Sequence, residues 1–101
     1  TINMQCHKIA VMGYFGWDEE KNARLKRERG VGFEDVIVAV EAGNILDIYH
    51  HPNRTRYPDQ KIIVVQIVDY AYLVPYVENK EKFFLKTVIP SRNATKKYLF
   101  K

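Results

Sequence analysis

The most regular hydrophobic pattern in the chain lies at residues 33–40. Phe33, Val36, Ile37 and Val40 follow i, i+3, i+4, i+7 spacing, which places a single apolar stripe along a helix. A glycine three residues after the last of them is a suitable stop. The pattern therefore predicts an amphipathic helix that packs one face against a core.

A more polar helix is predicted just before it, over residues 18–29. Asp18 is a suitable N-cap, and the two glutamates that follow it lie where the helix dipole favours negative charge. Gly30 ends the helix as a C′ residue. Because only Ala23 and Leu25 are available for burial, we expect a surface helix with a thin apolar contact.

After residue 44 the pattern changes to that of β-strands, with β-branched and aromatic residues between turn-forming segments. The predicted strands are 14–17, 45–49, 61–68, 71–78 and 83–89. A loop at 50–59 contains two prolines and many polar residues. Pro75 implies a bulge or an edge, because proline cannot donate to a ladder. Ser91 can cap a last short helix from Arg92 to about Phe100.

The resulting order, β-α-α-β-β-β-β-α, predicts an α+β fold. Successive strands with short connections, such as a tight turn at 69–70, form an antiparallel meander. We expect the helices to cover one face of the sheet and the other face to be open to a ligand. In this interpretation residues 14–101 form a single domain. Residues 1–13 are a tail of doubtful origin with the pattern of neither strand nor helix.

Length and composition are those of one globular domain. The chain has 101 residues, 47% of them hydrophobic, which can supply a core and argues against disorder. The single cysteine, Cys6, excludes an internal disulfide framework and fits a reducing cytoplasm. No apolar run approaches the roughly 20 residues of a membrane span. We therefore expect a cytoplasmic protein without a membrane partner.

The charge of the chain is strongly asymmetric. All 12 acidic residues lie before residue 82, and every charged residue after that point is basic. These basic residues are Lys82, Lys86, Arg92, Lys96, Lys97 and Lys101. If this end folds onto the body, it forms a cationic patch that attracts nucleic acid or an acidic protein. A solvated, lysine-rich surface is the structural alternative.

Several kinds of site are disfavoured by the residues present. The adjacent His50 and His51 would point to opposite faces of a strand, and Cys6 and His7 lie in the tail, so we expect no metal site. Ser91 is the only serine and lacks the glycines of a hydrolase elbow. The glycines between the two helices are too few for a phosphate loop, and we expect no cofactor.

A set of cations with neighbouring aromatic residues remains. Lys86 lies on the last predicted strand, and Arg92, Lys96, Lys97 and Tyr98 lie on the last helix. Cleavage of RNA by its own 2′-hydroxyl needs a base, cations that stabilise the phosphorane charge, and an acid for the leaving oxygen. Arg and Lys can act as the cations, and Tyr, His or Lys can transfer the protons. This inventory is compatible with a metal-independent ribonuclease.

The other candidates also have structural interpretations. Arg54 and Arg56, in the loop, could contact RNA, but many basic domains carry such residues. Trp17 is better explained as a core residue than as a stacking platform. The tyrosines on strands are ordinary strand formers, and His50 and His51 are more often loop hydrogen-bonding groups than acids or bases.

Two parts of the chain resemble the BrnT toxin family. Residues 15–22 (FGWDEEKN) and 29–36 (RGVGFEDV) are similar to its opening pattern of aromatic-x-Trp-Asp, Glu-Lys-Asn and basic-His-Gly-Val-x-Phe-Glu-Glu. Residues 89–97 (IPSRNATKK) are similar to its closing Ile-Ser-Ala-Arg-x-Ala-Thr signature and basic helix. The resemblance spans about residues 14–98.

The resemblance implies a RelE-like fold and a ribonuclease toxin of a type II toxin–antitoxin system. Its partners would be RNA and an antitoxin encoded beside it, and a homodimer is left open. The Arg of the closing signature falls on Arg92, which would stabilise the phosphate. Lys96 and Lys97 would hold the RNA backbone, while Lys86 and Tyr98 would assist proton transfer.

The chain also departs from the family pattern. Arg29 stands where the family often has His, and Thr87 where it often has Arg, with Lys86 on the opposite side of the strand. These changes reduce the number of family-type residues at the predicted cationic site. A non-catalytic module that docks RNA or an acidic protein is therefore a second interpretation. A structural subunit, which would expose a wide apolar patch, is a third.

Overall fold

The computed structural model describes residues 4–9, 13–80 and 82–100. Over these residues the chain forms seven strands and three helices. In chain order they are β1 (Met4–Ile9), β2 (Gly13–Asp18), α1 (Glu19–Arg29), α2 (Phe33–Glu41), β3 (Ile45–His50), β4 (Gln60–Ile67), β5 (Tyr70–Asn79), β6 (Lys82–Leu85), β7 (Ile89–Pro90) and α3 (Arg92–Tyr98). No helix in this part of the chain is both long and apolar enough to cross a membrane.

The strands form one mixed but mostly antiparallel sheet. Its order is β1-β2-β6-β5-β4-β3, with β7 paired to β5 beside β6. The meander from β3 to β6 confirms the predicted antiparallel arrangement and the α+β class. Among the described strands, only β2 and β6 pair in parallel, because the chain returns to β2 after two helices and the meander.

Three local predictions were wrong. Residues 4–9, expected to be neither strand nor helix, form strand β1 against β2. The turn between β4 and β5 lies at residues 68–69 rather than 69–70. The predicted strand 83–89 is split into β6 and β7. Its Lys86 N–H donates to Pro75 O at 2.8 Å, but Pro75 has no N–H to return a bond, so this ladder stops there.

One face of the sheet carries the main core. Phe15 and Trp17 of β2 are fully buried there, and α1 and α2 lie over them. The Trp17 ring stacks on Phe33 of α2 with centroids 5.6 Å apart, and Phe15 stacks on Phe83 of β6 at 5.1 Å. The interpretation of Trp17 as a core residue is confirmed.

The corner between α1 and α2 is organised by the buried side chain of Asn22. Its Nδ2 donates to Glu34 Oε1 at 2.9 Å, and its Oδ1 accepts from Phe33 N at 2.7 Å. Lys26 Nζ pairs with the other Glu34 oxygen at 3.0 Å. Gly32 is required here because a Cβ would come within 2.7 Å of Asn22 Oδ1. Most of the opening segment that resembles BrnT therefore has a structural role.

Helix α3 packs on the opposite face, so the prediction that all helices cover one face was wrong. Ala94 packs in a second, smaller core with Val64 of β4 and Ala71 and Leu73 of β5. The physical reason is that residues 62–65 of β4 are all buried and therefore need cover on both faces.

The rest of this second face is covered by no described helix, and we call it the open face. Strand register and alternation place a group of aromatic and basic side chains on it. Its members are Tyr14, Tyr49, Lys82, Phe84 and Lys86. Over this part of the sheet, the face that was expected to be open to a ligand carries no described helix.

The turn between β4 and β5 contains a strained residue. Val68 has φ of 61° in the left-handed region, although it is β-branched, and its side chain is 87% exposed. An L-residue in this region costs about 1–2 kcal/mol, and glycine avoids most of that cost. The Gln66 side chain donates to Val68 O at 2.9 Å and helps to hold this backbone shape.

We expect Val68→Gly to stabilise the protein by about 0.5–1 kcal/mol, since the relief of strain exceeds the added entropy of the unfolded chain. The free energy of unfolding in urea measures the effect. The matched control is Val38→Gly, because Val38 is also exposed but lies in α2. That change should destabilise by about 0.3 kcal/mol. Destabilisation by both variants would contradict strain at Val68.

Candidate functional site

Helix α3 is fixed to the sheet by hydrogen bonds to Ala71 of β5. The Ala71 N–H donates to Thr95 Oγ1 at 2.9 Å, and Ala71 O accepts from Ser91 N at 3.0 Å. Thr95 Oγ1 in turn donates to Ser91 O at 2.7 Å, and Ser91 Oγ caps the helix by accepting from Ala94 N. The cationic end of the chain therefore docks on the body, as a surface patch requires.

A shallow pocket of about 500 Å³ lies between α3 and strands β3, β4 and β5, next to the open face. Its walls combine polar groups and aromatic rings with an apolar floor. The lining residues are Asp47, Tyr49, Val64, Leu73, Ser91, Asn93, Ala94, Lys97 and Tyr98. This size and composition are typical of a site for a small organic group.

Asp47 and Tyr98 form a short hydrogen bond in the wall of the pocket. The Tyr98 hydroxyl donates to Asp47 Oδ2 at 2.5 Å, and Asp47 Oδ1 accepts from the Ile48 N–H at 2.8 Å. Both carboxylate oxygens are thereby held in place. Lys97 lies beside this pair, with its Nζ 5.1 Å from the centroid of the Tyr98 ring.

These contacts shift the pKa of both groups. The hydrogen bond from Tyr98 lowers the pKa of Asp47, and the Ile48 amide lowers it further. The same bond raises the pKa of Tyr98, although the Lys97 cation acts in the other direction. Tyr98 is therefore neutral at physiological pH and is not available as a base. Its proton is directed at Asp47 rather than into the pocket.

The cations predicted on α3 do not all converge. Lys97 lines the pocket with Tyr98, whereas Arg92 and Lys96 are exposed and do not line it. At about 100° per residue, Arg92 lies roughly 140° around the helix from Lys97. Arg92 and Lys96 therefore share one side of α3, and Lys97 occupies another.

The remaining predicted residues lie outside the pocket. Lys86 follows β6 with its Nζ 5.3 Å from the centroid of the Phe84 ring, on the open face. Arg54 and Arg56 are exposed in the loop between β3 and β4, and Arg56 lies over Tyr57 at 5.5 Å. Lys86 thus shares a face with the pocket, while the loop arginines are separate from it.

Of the described histidines, His51 has an ordinary structural role in the loop, and His50, at the end of β3, has no role assigned. His51 Nδ1 accepts from Asn53 N at 3.0 Å, and its ring packs on Tyr57 at 4.5 Å, which confirms its interpretation as a loop hydrogen-bonding group. Within residues 13–80 and 82–100, no group of three or more His, Cys, Asp or Glu side chains could hold a metal ion. The side chains of Cys6 and His7 are outside the described residues.

Sequence reasoning assigned no site role to Asp47, Tyr49 or Asn93, which line the pocket. The available signal was Asp47, a carboxylate between the apolar residues of a strand, where acids are uncommon. The departure at Arg29 also has a structural role, since its guanidinium donates to the carbonyl of Val88. That bond ties α1 to the segment before β7.

We expect Tyr98→Phe to raise the pKa of Asp47 toward its usual value of 3.8, because the main hydrogen bond to the carboxylate is lost. In the parent, the depressed pKa stabilises the fold above pH 3.8, and this contribution disappears as pH falls through the folded-state pKa. Carboxyl ¹³C NMR titration measures the shift. The stability difference between parent and variant should narrow in acid. An unchanged Asp47 titration would contradict the pairing.

Family models, curated proteins and solved structures were compared with the chain, and none matches it. The BrnT resemblance therefore depends on the residues of the two sequence segments alone.

Proposed function

We propose that the protein is a RelE-like toxin of the BrnT kind, which binds single-stranded RNA on the open face and cleaves it. The observation that carries the proposal is the pocket beside α3, where Lys97 and Tyr49 adjoin a sheet face with further lysines and exposed aromatic rings. A cation for phosphate and a ring for an unpaired base are the two elements of such binding.

The electrostatics support a polyanionic ligand. Lys82 and Lys86 are exposed on the open face, and α3 adds Lys97 at its border. Contacts of this kind release counterions from the RNA, so the affinity should fall as salt rises. Asp47 is the one acid among the residues that line the pocket.

The aromatic side chains support unpaired rather than duplex RNA. Tyr14 is 42% exposed and Tyr49 36% exposed, and Phe84 is partly buried beneath Lys86. Stacking of a base on such a ring contributes about 1–3 kcal/mol and requires a splayed, single-stranded base.

Arg92 is the strongest catalytic candidate, because the fold does not explain it. In the closing signature, Ser91 caps α3, Ala94 packs in the smaller core and Thr95 binds Ala71. Arg92 is exposed, and its side chain makes no hydrogen bond or ion pair among the described residues. A cation presented in this way could stabilise the charge of the phosphorane, with Lys86 as the candidate for proton transfer.

A non-catalytic RNA-binding module is a second candidate, and two observations favour it. The Tyr98 hydroxyl is held by Asp47, and Arg92 lies on a different side of α3 from Lys97. Incubation with total RNA, with and without chelator, distinguishes the two functions. Cleavage that persists with chelator supports the ribonuclease. Salt-sensitive binding without cleavage supports the module.

In the cell, the proposal implies a cytoplasmic toxin whose antitoxin is encoded by a neighbouring gene. Since the antitoxin would have to block access to RNA, an acidic segment that covers α3 and the open face suits this role. Co-expression of the neighbouring gene product with this chain should restore growth.

We expect Lys97→Ala to weaken binding of single-stranded RNA about tenfold, and Lys96→Ala only about two- to threefold, since only Lys97 borders the pocket. Fluorescence anisotropy at fixed salt measures both affinities. The two variants are matched, because each removes one lysine from the same helix. Equal losses would mean that α3 acts only through its net charge.

We expect Arg92→Ala to relieve growth arrest and to lower chelator-resistant RNA cleavage about 100-fold, while the protein stays folded. Arg27→Ala is the control, because Arg27 is an equally charged, exposed residue of α1 on the other side of the sheet. Growth assays and cleavage of purified RNA provide the measurements. If Arg92→Ala is as toxic as the parent, Arg92 is not catalytic.

A further inference from the structure

We propose that the pocket selects guanine and that Asp47 is the residue that recognises it. This inference rests on the proposed function, because it names the base that the same RNA site accepts. It also gives a role to a carboxylate that lines the pocket together with Lys97.

The charge of Asp47 excludes phosphate as its partner. A phosphate group near this carboxylate would be repelled, and Lys97 at the border of the pocket is the better place for it. Since the proposed ligand is RNA, which carries no cationic groups, the group that faces Asp47 must be a neutral donor of hydrogen bonds. A nucleobase edge meets both conditions, since unpaired bases expose their donors to the protein.

The orientation of Asp47 favours a ligand with two adjacent donors. Its Oδ2 accepts from the Tyr98 hydroxyl and its Oδ1 from the Ile48 N–H, so the carboxylate is fixed rather than free to rotate. A carboxylate has about four acceptor positions. Each oxygen therefore keeps one position for a ligand, and a ligand that uses both oxygens must present two neighbouring donors.

Among the four RNA bases, guanine offers this pattern. Its N1–H and its N2 amino group are neighbouring donors that can bind both oxygens of one carboxylate. Adenine and cytosine present one amino group beside an acceptor nitrogen, and uracil presents one imino group between two carbonyl oxygens. Each of the other bases would thus place an acceptor lone pair against the Asp47 charge, which is unfavourable.

The rest of the pocket suits a flat base. Tyr49 supplies an aromatic ring to the lining, and Val64, Leu73 and Ala94 supply apolar surface. Lys97 can hold the phosphate that follows the bound nucleoside. Stacking and the phosphate contact supply affinity for any base, and Asp47 supplies the discrimination.

The test measures binding of uridine heptamers that carry one central guanosine, adenosine, cytidine or inosine, with heptauridine as reference. We expect the guanosine oligomer to bind at least about tenfold more tightly than heptauridine. Inosine lacks the N2 amino group, so it should lose most of this preference. The inosine arm uses the unaltered protein and does not depend on the folding of a variant.

A pair of matched variants tests whether Asp47 is responsible for the preference for guanosine. Asp47→Asn should abolish the preference for guanosine, whereas Asp59→Asn, which removes the same charge from an exposed loop, should retain it. Tyr49→Ala should weaken binding of all the oligomers by a similar factor and keep their order.

Each result leads to a defined conclusion. Equal binding of all the oligomers overturns the guanine pocket but leaves an RNA-binding function in place. A guanosine preference that survives Asp47→Asn overturns the role of Asp47. If no oligomer binds at all, both the guanine pocket and the proposed RNA function fail.

Discussion

The hydrogen bonds between α3 and Ala71 are the constraint on which the candidate site depends. Both main-chain groups of Ala71 are bonded to the helix, its N–H to Thr95 and its carbonyl to Ser91. The bond between Ala71 and Thr95 is buried, so an unpaired group there would cost about 1–3 kcal/mol. This connection turns a basic stretch of sequence into one wall of a pocket and sets which side of α3 faces the sheet.

The two segments that resemble BrnT differ in what they do. The opening segment builds the corner of α1 and α2, where Asn22 binds Glu34 and the amide of Phe33. The closing segment fixes α3, and the side chain of Arg92, like that of Lys96, is exposed and makes no hydrogen bond or ion pair among the described residues. A resemblance carried by such residues therefore bears mainly on architecture, and the proposed catalytic role depends on one exposed residue of α3.

Much of the architecture could be predicted from the sequence because it is determined locally. The stripe of α2, the Asp18 cap and the Ser91 cap depend on residues a few positions apart. The helix boundaries were correspondingly close. The predictions were wrong where a contact between residues far apart in the sequence determines the local structure. Strand β1 exists through its pairing with β2, and β6 ends because Pro75 of β5 cannot donate.

The sequence by itself determined the α+β class, the meander and the concentration of positive charge at one end, since spacing and composition dictate them. Only the tertiary structure determined which charged and polar side chains lie next to each other. Asp47 and Tyr98 are 51 residues apart and become partners only when α3 packs on the sheet at β4 and β5. The same docking turns Lys97 toward the pocket and Arg92 away from it. The sequence sets the angles between side chains around the helix axis. Only the packing of the helix on the sheet determines which of those side chains face the pocket.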